Sequence, residues 1–283
     1  MLTSLLPGVS SNWLVDQEDG FQFFLGVRHI LQGFLQRQEA ADSIMRYVLG
    51  LYVYWEVTAP YFQPRQQSSA HAGLVPDLKT IVRRYLGDSP HTVLGLGSTI
   101  FPILAEVGQH YRRMVEGQDC LTEMHEDELE AQLLNWKVPE QAHRSPDNHP
   151  MLRLLADAHR WTGIVMLYQA VSVQTKLTSE RRDLMDRAIV SVMETLRLMP
   201  SGSSYETAVP FLAIVVGSEL RQQDLGYRAM LRAFQGRLEQ SVRVRAYSDM
   251  FQQLSRLWNR RDAGESLTWL ELMYEEAFFP PIV

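Results

Sequence analysis

Residues 154–168 read Leu-Leu-Ala-Asp-Ala-His-Arg-Trp-Thr-Gly-Ile-Val-Met-Leu-Tyr, and this stretch decides the fold class. Leu154, Ala158, Trp161, Val165 and Tyr168 recur at steps of four and three. That spacing lines side chains along one face of a 3.6-residue helix and along neither face of a strand. Working outward, the same rhythm returns in Leu184, Ala188, Ile189, Val192, Met193 and Leu196, in Tyr227, Leu231, Phe234 and Leu238, and in Tyr247, Phe251, Leu254 and Trp258. Arg, Gln, Asp and Glu fill the opposite faces. Such a helix is marginal alone in water, so each stripe needs a neighbour to cover it. The expected fold is all-α: an irregular multi-helix bundle forming a single domain.

Pro, Gly and Ser clusters separate the stripes at 60–73, 87–90, 139–150, 200–204 and 261–266, and Pro280-Pro281 close the chain. Thr178, Ser179 and Glu180 offer caps for the helix that holds Arg181, and residues 262–266 are expected to cap one starting near Leu267. Residues 20–59 are apolar on almost every side, with Phe21, Phe24, Val27, Leu31, Phe34, Val48, Leu51, Val53 and Tyr54, which predicts a buried central helix pair. A strand through Val53 and Val57 has no alternating partner. The polar run 139–150 reads as a mobile loop inside one domain spanning 20–279, with 1–19 a poorly ordered extension and 280–283 a tail.

The 283 residues are 46% hydrophobic and 21% charged, which excludes disorder as the main state. Lys plus Arg number 27 against 33 Asp plus Glu, a net charge of −6, so the basic surplus typical of proteins that live on phosphate backbones is missing. Cys120 is the only cysteine, which excludes a disulfide framework or a multi-thiolate zinc site within this chain and points to a reducing compartment. Residues 1–16 carry no Lys or Arg and lack a secretory h-region, while the longest apolar block, 208–216, falls far short of the roughly 20 residues that cross a bilayer. A soluble intracellular protein is expected.

Candidate chemistry is sparse. Gly95-Leu96-Gly97-Ser98-Thr99 has the paired glycines of a phosphate cradle but neither the third glycine nor the lysine of one, so it reads as a turn with Ser98 or Thr99 capping the helix through Phe101, Leu104 and Val107. His143, Asp147 and His149 share one polar stretch whose prolines work against a metal site. His125 and Glu126 lack the second His of a zinc-protease helix, Leu129 standing in its place. Asp119 and Glu123 flank Cys120 and oppose thiolate formation. Asp183 and Asp186 read as a solvated face. Glu219, just after the apolar run 211–216, is drawn toward the core and needs a partner, with Arg221, Arg228 and Arg160 as candidates, either as a structural ion pair or as an effector-binding carboxylate. Arg243, Arg245, Arg256, Arg260 and Arg261 flank the stripe from Tyr247 to Trp258, where their stems cover the helix and pair with acids. No catalytic, cofactor-binding, metal-binding or DNA-binding residue is assigned.

Four blocks in register resemble the fungal-specific transcription factor domain, the regulatory region of Zn(II)2Cys6 binuclear cluster regulators. They are Asp88-Ser89-Pro90 with Leu94-Gly95-Leu96 and Ile100-Phe101-Pro102-Ile103-Leu104; Ala158-His159-Arg160-Trp161 with Ile164, Leu167 and Tyr168; Pro210-Phe211-Leu212 through Gly217-Ser218-Glu219; and Leu257-Trp258-Asn259-Arg260-Arg261-Asp262 with Trp269 and Met273. Val209 stands where the family commonly has Trp. The resemblance implies an all-helical regulatory domain without catalysis, acting in the nucleus (or else the cytoplasm) on RNA polymerase II genes. Its implied partners are other transcription factors or the transcription machinery, a second copy of the chain, or a small-molecule effector. No cofactor is implied here, zinc belonging only to an upstream six-cysteine segment, and Cys120 alone cannot supply one, so no direct nucleic-acid contact is expected of this chain. The rival readings are a stand-alone scaffold of tandem two-helix repeats and a helical enzyme of isoprenoid type with magnesium held by converging carboxylates.

Overall fold

Each stripe of threes and fours winds into a helix. The computed structural model describes residues 18–37, 40–58, 61, 78–87, 90–118, 123–139, 150–201, 209–241 and 245–278, with the side chains of 18–25, 123, 209, 240–241 and 245–247 outside that description. Among these residues there are eleven α-helices and no strand. They are α1 (Glu18–Arg37), α2 (Ser43–Thr58), α3 (Leu78–Ile81, continued as a π-helical turn Val82–Leu86), α4 (Phe101–Glu116), α5 (Glu123–Asn135), α6 (Pro150–Gln174), α7 (Ser179–Leu198), α8 (Val209–Gly217), α9 (Leu225–Ser241), α10 (Arg245–Asp262) and α11 (Trp269–Glu275). The all-α expectation is met. Lengths run from 25 residues in α6 to 7 in α11 and 4 in α3, so no regular stack of equal pairs forms among the described residues. The loop expected at 139–150, His143, Asp147, His149, Cys120 and Arg243 lie outside the described residues, apart from Pro139 and Pro150 at the loop's edges.

The centre is α6. Every residue from Thr162 to Val171 is buried, because α4 and α7 pack along opposite sides of it and α5 and α8 close the remainder. This corrects the central pair expected at 20–59. α2 does bury Val48, Leu49, Tyr52, Val53 and Val57, but against α4 at the flank of the bundle, and Ile44 and Ile30 remain exposed. Apolar content alone does not say how many neighbours a helix has. At its start α6 carries apolar residues on adjacent faces, and the packing selects Leu155 over Leu154, which stays 38% exposed. One continuous core runs from Val27 to Met273.

α1 is fastened to α2 by charge. Arg28 donates Nε and Nη2 to the two carboxylate oxygens of Glu56, each at 2.6 Å, and the Tyr52 hydroxyl donates to the same carboxylate. Both ion-pair partners are buried, a geometry in which all lone pairs must be met.

Two capping expectations change. Thr178 does cap α7, its hydroxyl accepting from Arg181 N at 3.3 Å. The cap of α11, however, is Thr268 in a reciprocal box with Glu271, while Asp262 still belongs to α10 and its carboxylate is held by Arg228. Nor do Ser98 and Thr99 cap α4. Ser98 Oγ donates to Gly87 O at 3.0 Å, Thr99 Oγ1 accepts from Trp136 Nε1 at 3.0 Å, and Pro102, second in the helix, has no N–H to satisfy.

The glycine-rich turn is held by His91, whose ring lies against Gly50 of α2. Nε2–H donates to Arg46 O at 2.9 Å, and Nδ1 accepts from Val93 N at 3.1 Å. A Cβ on Gly50 would sit 1.9 Å from His91 Cε1, whereas one on Gly26 in α1 would meet nothing within 4 Å. Gly50→Ala is therefore expected to destabilise the chain by about 1–3 kcal/mol through overpacking. Gly26→Ala is expected to stabilise it by about 0.5–1 kcal/mol through helix propensity. Urea titration of the two variants checks the opposite signs.

Candidate functional site

α8 is a short helix with no polar side: Pro210 to Ser218 are all buried, so its end is buried as well. The last carbonyls of a helix have no intrahelical donor, and away from water they need side-chain donors. Four side chains supply them, beside the amides of Glu219 and Leu220, which meet Val216 O at 3.1 Å and Gly217 O at 3.2 Å. Ser218 Oγ donates to Val215 O at 2.6 Å, Trp258 Nε1 of α10 donates to Gly217 O at 2.8 Å, Arg261 of α10 donates to Ser218 O, and Arg228 of α9 donates to Leu220 O at 2.8 Å. Gly217 lets α9 and α10 approach this closely, since a Cβ there would lie 2.7 Å from Leu231 Cδ1 and 3.0 Å from Leu254 Cδ2.

Glu219 closes the cluster. Its Oε1 accepts from Gln169 Nε2 of α6 at 2.9 Å and its Oε2 lies 3.3 Å from Arg261. Gln169 Nε2 also lies 2.8 Å from Ser218 Oγ, and its Oε1 accepts from Trp269 Nε1 of α11 at 3.2 Å. The Trp269 ring packs on Tyr61 and Tyr111. Arg228 lies over the Trp258 ring and makes a two-pronged bond to Asp262, at 2.6 and 2.9 Å, an arrangement that holds the Asp262 carboxyl below the usual carboxylate range.

The partners differ from those expected. Of the three arginines weighed for Glu219, Arg221 pairs with Asp186, Arg228 with Asp262 and Arg160 with Asp157, and the partner is Arg261 instead. The arginines of α10 do pair with acids, Arg256 with Glu276 and Arg260 with Glu265 and Glu275. Asp183 and Asp186 are exposed. Gln169 is the residue that sequence reading missed; its only signal is an amide in the middle of an otherwise apolar helical run.

Beside this cluster is an apolar cavity of about 20 Å³ between α8, α10 and α11, to which Ile214, Met250, Leu254, Trp269 and Met273 contribute. Trp269 belongs to both features, with its ring in the cavity wall and its Nε1 on Gln169.

Three histidines are buried elsewhere. His91 sits in the turn described above. His110 Nε2 of α4 meets Glu126 of α5 at 2.8 Å, and His159 Nδ1 donates to Leu155 O at 2.7 Å with its ring on Phe101. Burial lowers the pKa of all three, outweighing Glu126 at His110, and takes His159 from 6.5 down to about 4. Among the described residues, no three His, Cys, Asp or Glu side chains are grouped to hold a metal ion, and no helix is long and apolar enough to cross a membrane.

Residues 21–279 match the family described as the fungal specific transcription factor domain. The chain belongs to that family. No curated protein and no solved structure matches it. The fungal-specific transcription factor domain is a module of transcription regulation, and a nuclear place of work goes with that role. Its blocks now have a physical meaning here. The block ending Gly217-Ser218-Glu219 and the block Trp258 to Asp262 are the two sides of one cluster, and Trp269 joins both to α6.

Two outcomes follow. Arg261→Met strands the Ser218 carbonyl and leaves the Glu219 carboxylate with Gln169 alone in this cluster, and is expected to cost about 1–3 kcal/mol in urea unfolding. Arg260→Met, whose carboxylate partners are exposed, is expected to leave the midpoint nearly unchanged. The second outcome concerns pH. The folded-state pKa values of the buried histidines lie below their unfolded values, so the unfolded chain binds more protons and stability, full above pH 6.5, falls as pH drops. His159 alone accounts for roughly 3 kcal/mol of that loss by pH 4. His159→Leu is expected to take up about one proton fewer on unfolding at pH 5.5, read from the pH dependence of unfolding free energy.

Proposed function

We propose that this chain is an effector-responsive regulatory domain for RNA polymerase II genes, with no DNA-binding module within these 283 residues. Residues 20–279 act as one domain, with 1–19 an extension and 280–283 a tail. These residues use no metal or cofactor, perform no catalysis and make no direct contact with nucleic acid, and their partners are other transcription factors or the transcription machinery, or a second copy of the chain. The observation that carries this reading is the family match across 21–279.

The mechanism is an equilibrium between two helix packings. An effector changes activity only if it binds them unequally, and the coupling equals the difference in affinity. α11 is suited to carry the change, since it is short, reaches the cluster through Trp269, and is tied to α10 on its outer side by ion pairs at the surface. Of the rival readings, the tandem-repeat scaffold expects equal helix pairs, whereas the helices are unequal; the isoprenoid-type enzyme expects converging acids, whereas Asp186 is paired with Arg221 at the surface.

Fusing residues 1–283 to a heterologous DNA-binding module is expected to change reporter transcription at a matching promoter, and Glu219→Ala is expected to reduce that change at equal protein level. A fusion of normal abundance that leaves the reporter untouched under all growth conditions contradicts the proposal.

A further inference from the structure

We propose that the cavity between α8, α10 and α11 receives a small, uncharged, mainly apolar ligand bearing one hydrogen-bond donor, which Gln253 Oε1 accepts. This deepens the regulatory reading above and rests on it only for its consequence in transcription. Gln253 is the polar residue in a wall otherwise built of Ile214, Met250, Leu254, Trp269 and their apolar neighbours. Its Nε2 donates to Glu276 Oε2 at 2.8 Å. That bond fixes the amide, because turning it over would set one oxygen against another. Oε1 is thereby left buried, and it meets no donor among the described residues. Buried acceptors of this kind are uncommon in folded proteins and each calls for a partner.

Water is a poor candidate. A void of about 20 Å³ has room for one molecule, but a buried water needs two to four polar partners, and this wall offers one acceptor. A carboxylate ligand is excluded more strongly, since apolar walls leave its charge uncompensated and Glu276 stands beside the one polar atom. A neutral ligand with a hydroxyl or N–H on an apolar body satisfies both the wall and the acceptor.

Anything larger than water must spread the walls, and α11, seven residues long, is the shortest helix among them. Arg256–Glu276 and Arg260–Glu275 are ion pairs at the surface, where net contributions are small. A ligand seated here binds the spread packing better than the closed one. It also presses on Trp269, whose Nε1 reaches Gln169 and through it Glu219.

The test uses the full chain with carbon-13 methyl-labelled methionine, because Met250 and Met273 line the cavity while Met114 and Met193 lie elsewhere in the core. Phenol, toluene and benzoate are titrated as probes of matched size. Phenol is expected to shift the Met250 and Met273 methyl signals and to bind about tenfold tighter than toluene, the difference that one hydrogen bond makes, while benzoate leaves them in place. Gln253→Met is expected to bring phenol and toluene to equal affinity, with unmoved Met114 and Met193 signals reporting an intact fold. Equal binding of phenol and toluene by the native chain, shifts confined to other methionines, or a phenol preference that survives Gln253→Met overturns the site. The two readings separate cleanly: selective phenol binding with a silent reporter fusion supports the site and removes the regulatory role, whereas an active fusion without selective binding keeps the role and removes the site.

Discussion

A helix end buried away from water is the constraint on which the second half of this molecule is arranged. α8 has no polar face to turn outward, so it lies inside the bundle along its whole described length, and its last carbonyls cannot reach solvent. An unmet buried carbonyl costs more than an ordinary hydrogen bond gains. The amides of Glu219 and Leu220 meet Val216 O and Gly217 O, and side chains on other helices supply a second donor to Gly217 O and the donors to Ser218 O and Leu220 O, which fixes where those helices lie. Trp258 and Arg261 set the depth and rotation of α10, Arg228 sets α9, and Gln169 links the group to α6. A packing requirement of one nine-residue helix becomes a positional requirement on three others.

The charges in the cluster follow from the same need. Arg261 and Arg228 each bring a cation toward the interior while answering a carbonyl, and each then requires a carboxylate, which Glu219 and Asp262 provide. Buried ion pairs are weak sources of net stability but strong sources of geometric definition, because removing one member strands the other. The Arg28–Glu56 pair does the same where α1 meets α2.

Much of this was legible in the sequence, and the illegible part has a common cause. Local spacing is read directly: the three-and-four steps gave every stripe its helix, and Thr178 its capping role, because those contacts lie within four residues. Long-range pairing is not. Glu219 finds Arg261, 42 positions away on another helix, in place of the three arginines weighed for it. Asp262 is drawn off capping duty by Arg228, 34 positions away, which leaves the task to Thr268. The central role of α6 over the 20–59 pair likewise depends on how many neighbours each helix acquires, a property of the assembled bundle. Gln169 was the one available hint, a polar side chain where the pattern asks for an apolar one.

Native-state hydrogen exchange tests the central claim most directly. If the buried end of α8 organises its surroundings, the amides of 211–217 and of 258–261 open together, at a free energy equal to that of global unfolding and with the full denaturant dependence. Exchange of the 211–217 amides through a low-energy, denaturant-independent opening while 258–261 stay protected would contradict the account.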